Sequence, residues 1–431
     1  MSKLNPNWLL SRLNQAIREV TENREVFCKD PSRDFIRDRK LPPEKLVNAI
    51  IRMGAKSTNS ELIELFRKLK ELPTKSAFTQ QREKISDQAF PAILSAFIDT
   101  LTPQRLYRGM RVLACDGSDV NIPKNVDDPD THIIQQNKSG YNQIHVNALY
   151  DILNSIYIDI SIQGSHKKHE RLAMNEMVDR MRHPEDSLVI ADRGYESFNV
   201  FAHCIESCLR FLIRMKDIDS NGILGNYELP DEEFDTIIHQ KITKRHTTET
   251  IGNPNEYTIL SPYTDFDFFS DEKDSYEIEF RVVRFKVDDS YVCVATNLDD
   301  SFTLEDIKEL YHLRWNEENS FRDLKYAIGM VYFHSKKLPL IIQEVYASII
   351  LYNFSAAVIN AEPVQKKNTK HRYKINFSNA VTAVRMFLKK LIRAGDLTEI
   401  IQRNLTPIRE GRSFERNVKP KSVMPFINRP A

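Results

Sequence analysis

Two short apolar runs, each ending in an aspartate, constrain the fold of this chain most. Arg111-Val-Leu-Ala-Cys115 stops at Asp116-Gly117, and Ser187-Leu-Val-Ile-Ala191 stops at Asp192-Arg193-Gly194. Apolar runs this short, closed by turn-forming residues, read as buried strands. Between them lie two further β-rich runs, Gln143 to Ile152 and Ser155 to Ile162, joined through Leu153-Asn154 as a hairpin turn. A helix is predicted from Lys168 to Arg182, carrying Leu172, Met174, Met177, Val178 and Met181. Another follows near 198–207, then a strand from Leu209 to Met215. Three strands, helix, strand, helix, strand predict a meander feeding a mixed α/β sheet. Ligands of such sheets sit beyond the carboxyl ends of strands. Both aspartates fall there.

With 431 residues, the chain is too long for one ordinary core, and two or three domains are expected. Residues 1–105 read as a helical DNA-binding domain. Pro42-Pro43-Glu44 opens a helix where proline costs nothing, and Thr58 with Glu61 forms a capping-box pair for the next. The segment Thr74-Lys75-Ser76-Ala77-Phe78-Thr79-Gln80-Gln81-Arg82 is a short capped helix with a polar face. It fits either a helix-turn-helix reader, with Lys75, Gln80, Gln81 and Arg82 facing DNA, or a plain three-helix packing unit. Residues 106–360 read as a mixed α/β core, with 217–300 as a β-rich insertion whose strand candidates are Tyr276 to Val287 and Tyr291 to Thr296. Gln343, Glu344 and Asn353 interrupt the apolar stretch from Leu338 to Ile359, which therefore reads as a buried helix rather than a membrane span. No membrane partner is expected.

The net charge of +1 conceals an asymmetry. Residues 361–431 hold 16 Lys/Arg against 5 Asp/Glu, or +11; the other 360 residues hold 45 against 55, or −10. A basic C-terminal segment on an acidic body points to a surface for a polyanion or for dimerisation, unless it is merely solvated. The five cysteines (28, 115, 204, 208 and 293) follow neither a zinc pattern nor a disulfide framework, which suits a reducing, cytoplasmic setting. Cys204 and Cys208 read as two small buried groups on one helix face. His166, His169 and Glu170 lie between a strand and a helix and read as a loop or helix start rather than a zinc site.

The segment from Thr303 to Lys325 reads as one helix. At about 100° per residue, Tyr311, Arg314, Glu318 and Lys325 fall at roughly 0°, 300°, 340° and 320°, a single narrow stripe. Leu310, Leu313, Phe321, Leu324 and Ile328 occupy the adjoining face. A carboxylate between cations is often only a salt-bridged surface. Combined with Asp116 and Asp192, however, it completes a set of three acids able to hold Mg²⁺ through oxygen ligands. Two such ions stabilise the attacking and leaving oxygens of an in-line displacement at phosphorus.

Tyr311-His-Leu-Arg314-Trp-Asn-Glu-Glu318-Asn-Ser-Phe-Arg-Asp-Leu-Lys325 resembles the Tyr-Arg-Glu-Lys signature of bacterial insertion-sequence transposases of the DDE class. Val189-Ile-Ala-Asp192-Arg-Gly-Tyr195 resembles that family's second-aspartate segment, and Leu113-Ala-Cys-Asp116-Gly-Ser118 its first. The resemblance implies a ribonuclease-H-like α/β core: a mixed sheet with flanking helices, a β-rich insertion and a helical N-terminal domain. It implies cut-and-paste transposition by a homodimer on double-stranded DNA, at paired terminal inverted repeats and at the target. Relatives also suggest that a hairpin can form at the element's end. Asp116, Asp192 and Glu318 would be catalytic and would bind two Mg²⁺ ions, with Mn²⁺ tolerated. Tyr311, Arg314 and Lys325 would contact DNA phosphates, with Arg322 and Arg193 beside them. Aromatics of the insertion, or Trp315, could stack a displaced base. One departure is Glu317, where the family usually has an apolar residue. The same three acids would also serve a ribonuclease-H-like nuclease, or survive in a domesticated DNA-binding protein.

Overall fold

The computed structural model describes residues 5–37, 39–135, 138–270, 272–314, 316–362 and 372–408; at 135, 138, 139 and 316–319 it describes the backbone alone. The apolar runs form strands as expected. The first six are β1 (Arg111–Ile122), β2 (His132–Gln135), β3 (Lys138–Asp151), β4 (Ile156–Gly164), β5 (Ser187–Ala191) and β6 (Arg210–Met215). β3 pairs antiparallel with β1 along one edge and with β2 and β4 along the other. The β3–β4 turn closes at Ser155, with φ at 56°, and Asn154 is held by the buried Asp151 carboxylate. β5 runs parallel to β1, and β6 parallel to β5. The order β4-β3-β1-β5-β6 is a ribonuclease-H-like mixed sheet.

The insertion does not stand apart from this sheet. It contributes β7 (Phe234–Thr243), β8 (Tyr257–Ile259), β9 (Ser275–Val287) and β10 (Ser290–Thr296). β10 pairs antiparallel with β6, β9 with β10, and β7 with β9. Among the described residues ten strands thus form one sheet. The β9–β10 hairpin turns at Asp288-Asp289, with Asp288 at φ 53°, the positive φ that two-residue hairpins demand.

Strand alternation sorts the side chains onto two faces. Leu113, Cys115, Val189, Ala191, Phe211 and Ile213 face α7 (Glu170–Asp179) and α8 (Phe198–Glu206). Val112, Ala114, Leu188, Ile190 and Leu212 face the opposite way. On that side lie the N-terminal helices α1 (Pro6–Glu22), α2 (Arg24–Phe27), α3 (Pro43–Arg52), α4 (Thr58–Leu65), α5 (Lys75–Arg82) and α6 (Ala89–Asp99). After a short α9 (Thr248–Gly252) in the insertion, the same side receives α10 (Leu304–Leu313), α11 (Asn316–Tyr326), α12 (Leu338–Ala361), α13 (Phe377–Leu388) and α14 (Ala394–Arg403).

The central post is α12. It is apolar around its circumference, the mark of a helix buried on all sides, and its run from Ile349 to Val358 is buried residue by residue. Asn353 donates to Tyr157 O and accepts from Tyr157 N, both at 2.8 Å. It therefore satisfies backbone groups on the free edge of β4, which would each cost about 1–3 kcal/mol if buried unpaired. Leu9 and Ile17 of α1, Ile50 of α3, Phe97 of α6 and Val384 of α13 join Val345 and Phe354 of α12 in one continuous apolar interior. Among the described residues, the apolar interior of the N-terminal helices is continuous with that of the sheet.

Several local expectations are corrected. The cap of α4 is Ser57, not Thr58, and Glu61 is buried, accepting from Lys56 N and pairing with Lys389. Cys208 lies beyond α8, exposed and at φ 56°, while Cys204 is buried. Part of the basic C-terminal segment is neutralised internally: Lys389 also pairs with Glu64 at 2.8 Å, and Arg385 donates to Met53 O and Ile328 O. Lys366 and residues 409–431 lie outside the described residues. The helix expected over 303–325 is two helices. Thr303 caps α10 in a capping box with Asp306, and the last turn tightens to a bond from Arg314 N to Tyr311 O. Arg314, which follows α10, keeps right-handed helical angles of φ −52° and ψ −39°.

Candidate active site

Register brings the two aspartates together. Cys115 pairs with Ala191 as the last pair of the parallel β1–β5 ladder, so Asp116, within β1, and Asp192, the first residue beyond β5, follow it side by side. Both follow residues that face α7, so by alternation both point to the side holding α10 to α12. Asp116 is half-buried and accepts from its neighbour Gly117 N at 2.8 Å. Burial pushes its carboxyl above the usual carboxylate range; Glu170 and Asp192 add to that, against the Gly117 hydrogen bond and the charge of Arg314. Asp192 caps the short turn Arg193–Tyr195 by accepting from Arg193 N at 2.8 Å. Its outer side meets Arg214 Nη1 at 3.6 Å.

Helix α11 closes over this edge. Phe321 and Leu324 are buried in the apolar interior, and Lys325 Nζ donates to Ser118 Oγ and Asp119 O, both at 2.7 Å. Ser118 is two residues beyond Asp116 and shares its face. Lys325 is therefore tied to the strand that carries the first aspartate. Arg314, at the end of α10, is close enough to act on the Asp116 carboxyl. Glu318 belongs to α11, but its side chain and that of Glu317 lie outside the described residues, as does Trp315 altogether.

The remaining expected DNA contacts divide. Arg193 and Arg322 are exposed beside the site, and Lys75 and Gln80 are exposed on α5, with Gln81 half-buried. Tyr311 is only 3% exposed, its ring packed edge-on to Phe285. In this state it seats α10 and is not presented to a phosphate. Arg82 is also corrected. It is 2% exposed, pairs with Glu344 at 2.9 Å and donates to Leu340 O at 2.7 Å. It bolts α5 to α12 and cannot read a base. Further exposed cations lie on the loop before α3, where Arg33, Arg37 and Arg39 line a cleft of about 620 Å³ with Lys84 and Gln81. Of the insertion's aromatics, Phe266, Phe268, Phe269 and Tyr276 pack on one another, whereas Tyr263 is 96% exposed.

Arg214 was invisible to motif reading, yet its signal is present: in Arg210-Phe-Leu-Ile-Arg-Met215, alternation puts Arg214 on the face of Leu212, toward Asp192. His169 caps α7, accepting from Leu172 N at 3.0 Å.

A mixed sheet with two carboxylates on adjoining strands, cations around them and a helix folded across is an arrangement suited to metal-assisted phosphoryl transfer. A family model described as transposase DDE domain matches residues 107–354. The chain belongs to that family: it is a metal-dependent, DNA-cleaving enzyme of DNA transposition. Among solved structures, it is similar to a piggyBac transposase determined by cryo-EM in a synaptic complex with hairpin DNA. The identity is 12%, the TM-score 0.42, and the match covers 92% of this chain and 85% of that one. A sequence comparison with curated proteins gives no match.

Proposed function

We propose that Asp116, Asp192 and Glu318 are the catalytic acids of this transposase, and that they hold two Mg²⁺ ions, replaceable by Mn²⁺. The observation that carries this is the Cys115–Ala191 pairing, which sets Asp116 and Asp192 side by side on the face that α11 crosses. Position 318 lies seven residues before Lys325, nearly two turns, on the same side of the helix. The donor set suits a hard divalent cation, since carboxylate oxygens are its preferred ligands. Such ions supply charge stabilisation for in-line displacement at phosphorus. The chain's own part is to bring acids and cations together. Arg314 and Arg214 offset the clustered negative charge, and Lys325 with Arg193 and Arg322 gives a scissile phosphate positive neighbours.

The DNA partners on this reading are the element's terminal inverted repeats and the target, engaged by a homodimer on paired ends in a bacterial cytoplasm. Cleavage at the ends is followed by attack of the freed 3′-hydroxyl on target DNA. Purified protein, Mg²⁺ and a DNA fragment carrying the native ends, incubated with a target plasmid, should yield excised element and joined product. Cleavage without joining would replace this reading with that of a nuclease.

Lys325→Ala is expected to weaken DNA binding and to lower the slope of log affinity against log salt by about one, as loss of one phosphate contact requires. Binding measured at several salt concentrations checks this. An unchanged slope would assign Lys325 to holding Ser118 alone.

A further inference from the structure

The first turn of α7 reaches both aspartate-bearing segments, β1 around Asp116 and the turn that follows β5. On the α7 side of β1, Glu170 Oε1 lies 3.1 Å from His145 Nε2, and His145 Nδ1 lies 2.6 Å from Asp119 Oδ1. Lys168 closes on both carboxylates, 3.2 Å from Glu170 and 3.6 Å from Asp119. The His145 ring, 1% exposed, occupies the space over Gly117, where a Cβ would sit 2.2 Å from Nε2. Glycine at 117 thus lets the imidazole pack on the peptide whose N–H holds the Asp116 carboxylate. The next residue of α7, Arg171, reaches the other strand end: its Nε donates to Gly194 O at 2.9 Å. Gly194 lies in the turn that Asp192 caps. Consecutive residues of one helix therefore brace both segments, Glu170 through His145 and Arg171 directly.

Two carboxylates side by side repel each other until a cation lies between them, so their spacing has to be imposed from outside. The geometry points to Glu170 and Arg171 as positioning residues that fix the separation of Asp116 and Asp192 and thereby set the affinity for divalent cation. This rests on reading those two aspartates as metal ligands. Groups that orient metal ligands from behind typically account for 10–100-fold in metal affinity.

The test compares Arg171→Met, Arg171→Lys and Glu170→Gln in the full chain. Mn²⁺ affinity is measured by calorimetry without DNA, and the Mg²⁺ concentration for half-maximal cleavage is measured on end DNA. Arg171→Met and Glu170→Gln should each weaken Mn²⁺ binding and raise the Mg²⁺ requirement about tenfold. Saturating Mg²⁺ should restore most of the rate, the metal-free unfolding midpoint should hold, and Arg171→Lys should recover part of the loss. Where Arg171→Met lowers the midpoint, Glu170→Gln decides. Unchanged Mn²⁺ affinity in folded Glu170→Gln and Arg171→Met would overturn the positioning role. Asp116→Asn run in parallel separates the two ideas. Lost Mn²⁺ binding there, with none lost in the α7 variants, removes only the positioning role; intact binding there removes the ligand reading and the positioning role with it.

Discussion

Asparagine in place of Asp116 is expected to slow DNA cleavage about 10³-fold or more while DNA binding persists. The substitution keeps the shape of the side chain and its acceptor for Gly117 N, but removes the negative charge. Burial and the nearby Asp192 and Glu170 all disfavour that charge. Losing a metal ligand removes several kcal/mol of transition-state stabilisation, and roughly 4 kcal/mol corresponds to about 10³ in rate. Asp192→Asn and Glu318→Gln should behave alike. Glu317→Gln is the informative control: full cleavage in that variant beside a dead Glu318→Gln assigns the acid of α11. Single-turnover cleavage and a gel-shift assay on the same DNA separate chemistry from binding. Near-normal cleavage by any of the three would strike that residue from the catalytic set.

Arg82→Ala should be the most destabilising single change outside the active site, by about 3–5 kcal/mol, because it strands a buried charge. Glu344 is deeply buried, which alone would raise its pKa, yet Arg82 and His334 together hold it down to about 2. The folded value is thus depressed below the unfolded carboxylate value near about 4.3. Such a group contributes stability that is fully present above the unfolded value and fades as pH falls toward 2. In Arg82→Ala the orphaned carboxylate relieves itself by taking up a proton, so the penalty should be largest near neutral pH and shrink in acid. Urea unfolding of wild type and variant at pH 7 and pH 4.5 measures this. An equal penalty at both values would mean that Arg82 acts by packing rather than charge. A variant that folds normally but loses DNA binding would return Arg82 to the DNA-reading role denied to it here.

The parts of the fold carried by local chemistry were legible in the chain itself. β1 and β5 could be read because five apolar residues in a row have nowhere to go but a buried strand, and the aspartates stood where those runs stop. Thr74 was recognisable as the cap of α5, and its side chain accepts from Ala77 N. What failed depended on distant partners. Arg82 looked like a surface cation because nothing near it in sequence announces Glu344, which lies 262 residues away. Residues 217–300 read as a β-rich insertion, but its place in the sheet escaped the sequence because the ladder from β10 to β6 is a long-range pairing that composition does not encode. The break after Leu313 escaped notice because apolar spacing continues through it. Arg214 was passed over because strand alternation reveals a face only once a neighbouring strand is known.

One continuous interior running from α1 through α12 to α13 has a consequence for how such a protein can change over time. Recognition modules on linkers can be traded between enzymes, since each keeps its own stability when moved. Here the first hundred residues and the catalytic sheet lean on the same post, so removing either would expose the apolar flank of the other. New DNA preferences are therefore expected to arise by substitution on exposed surfaces rather than by exchange of whole segments.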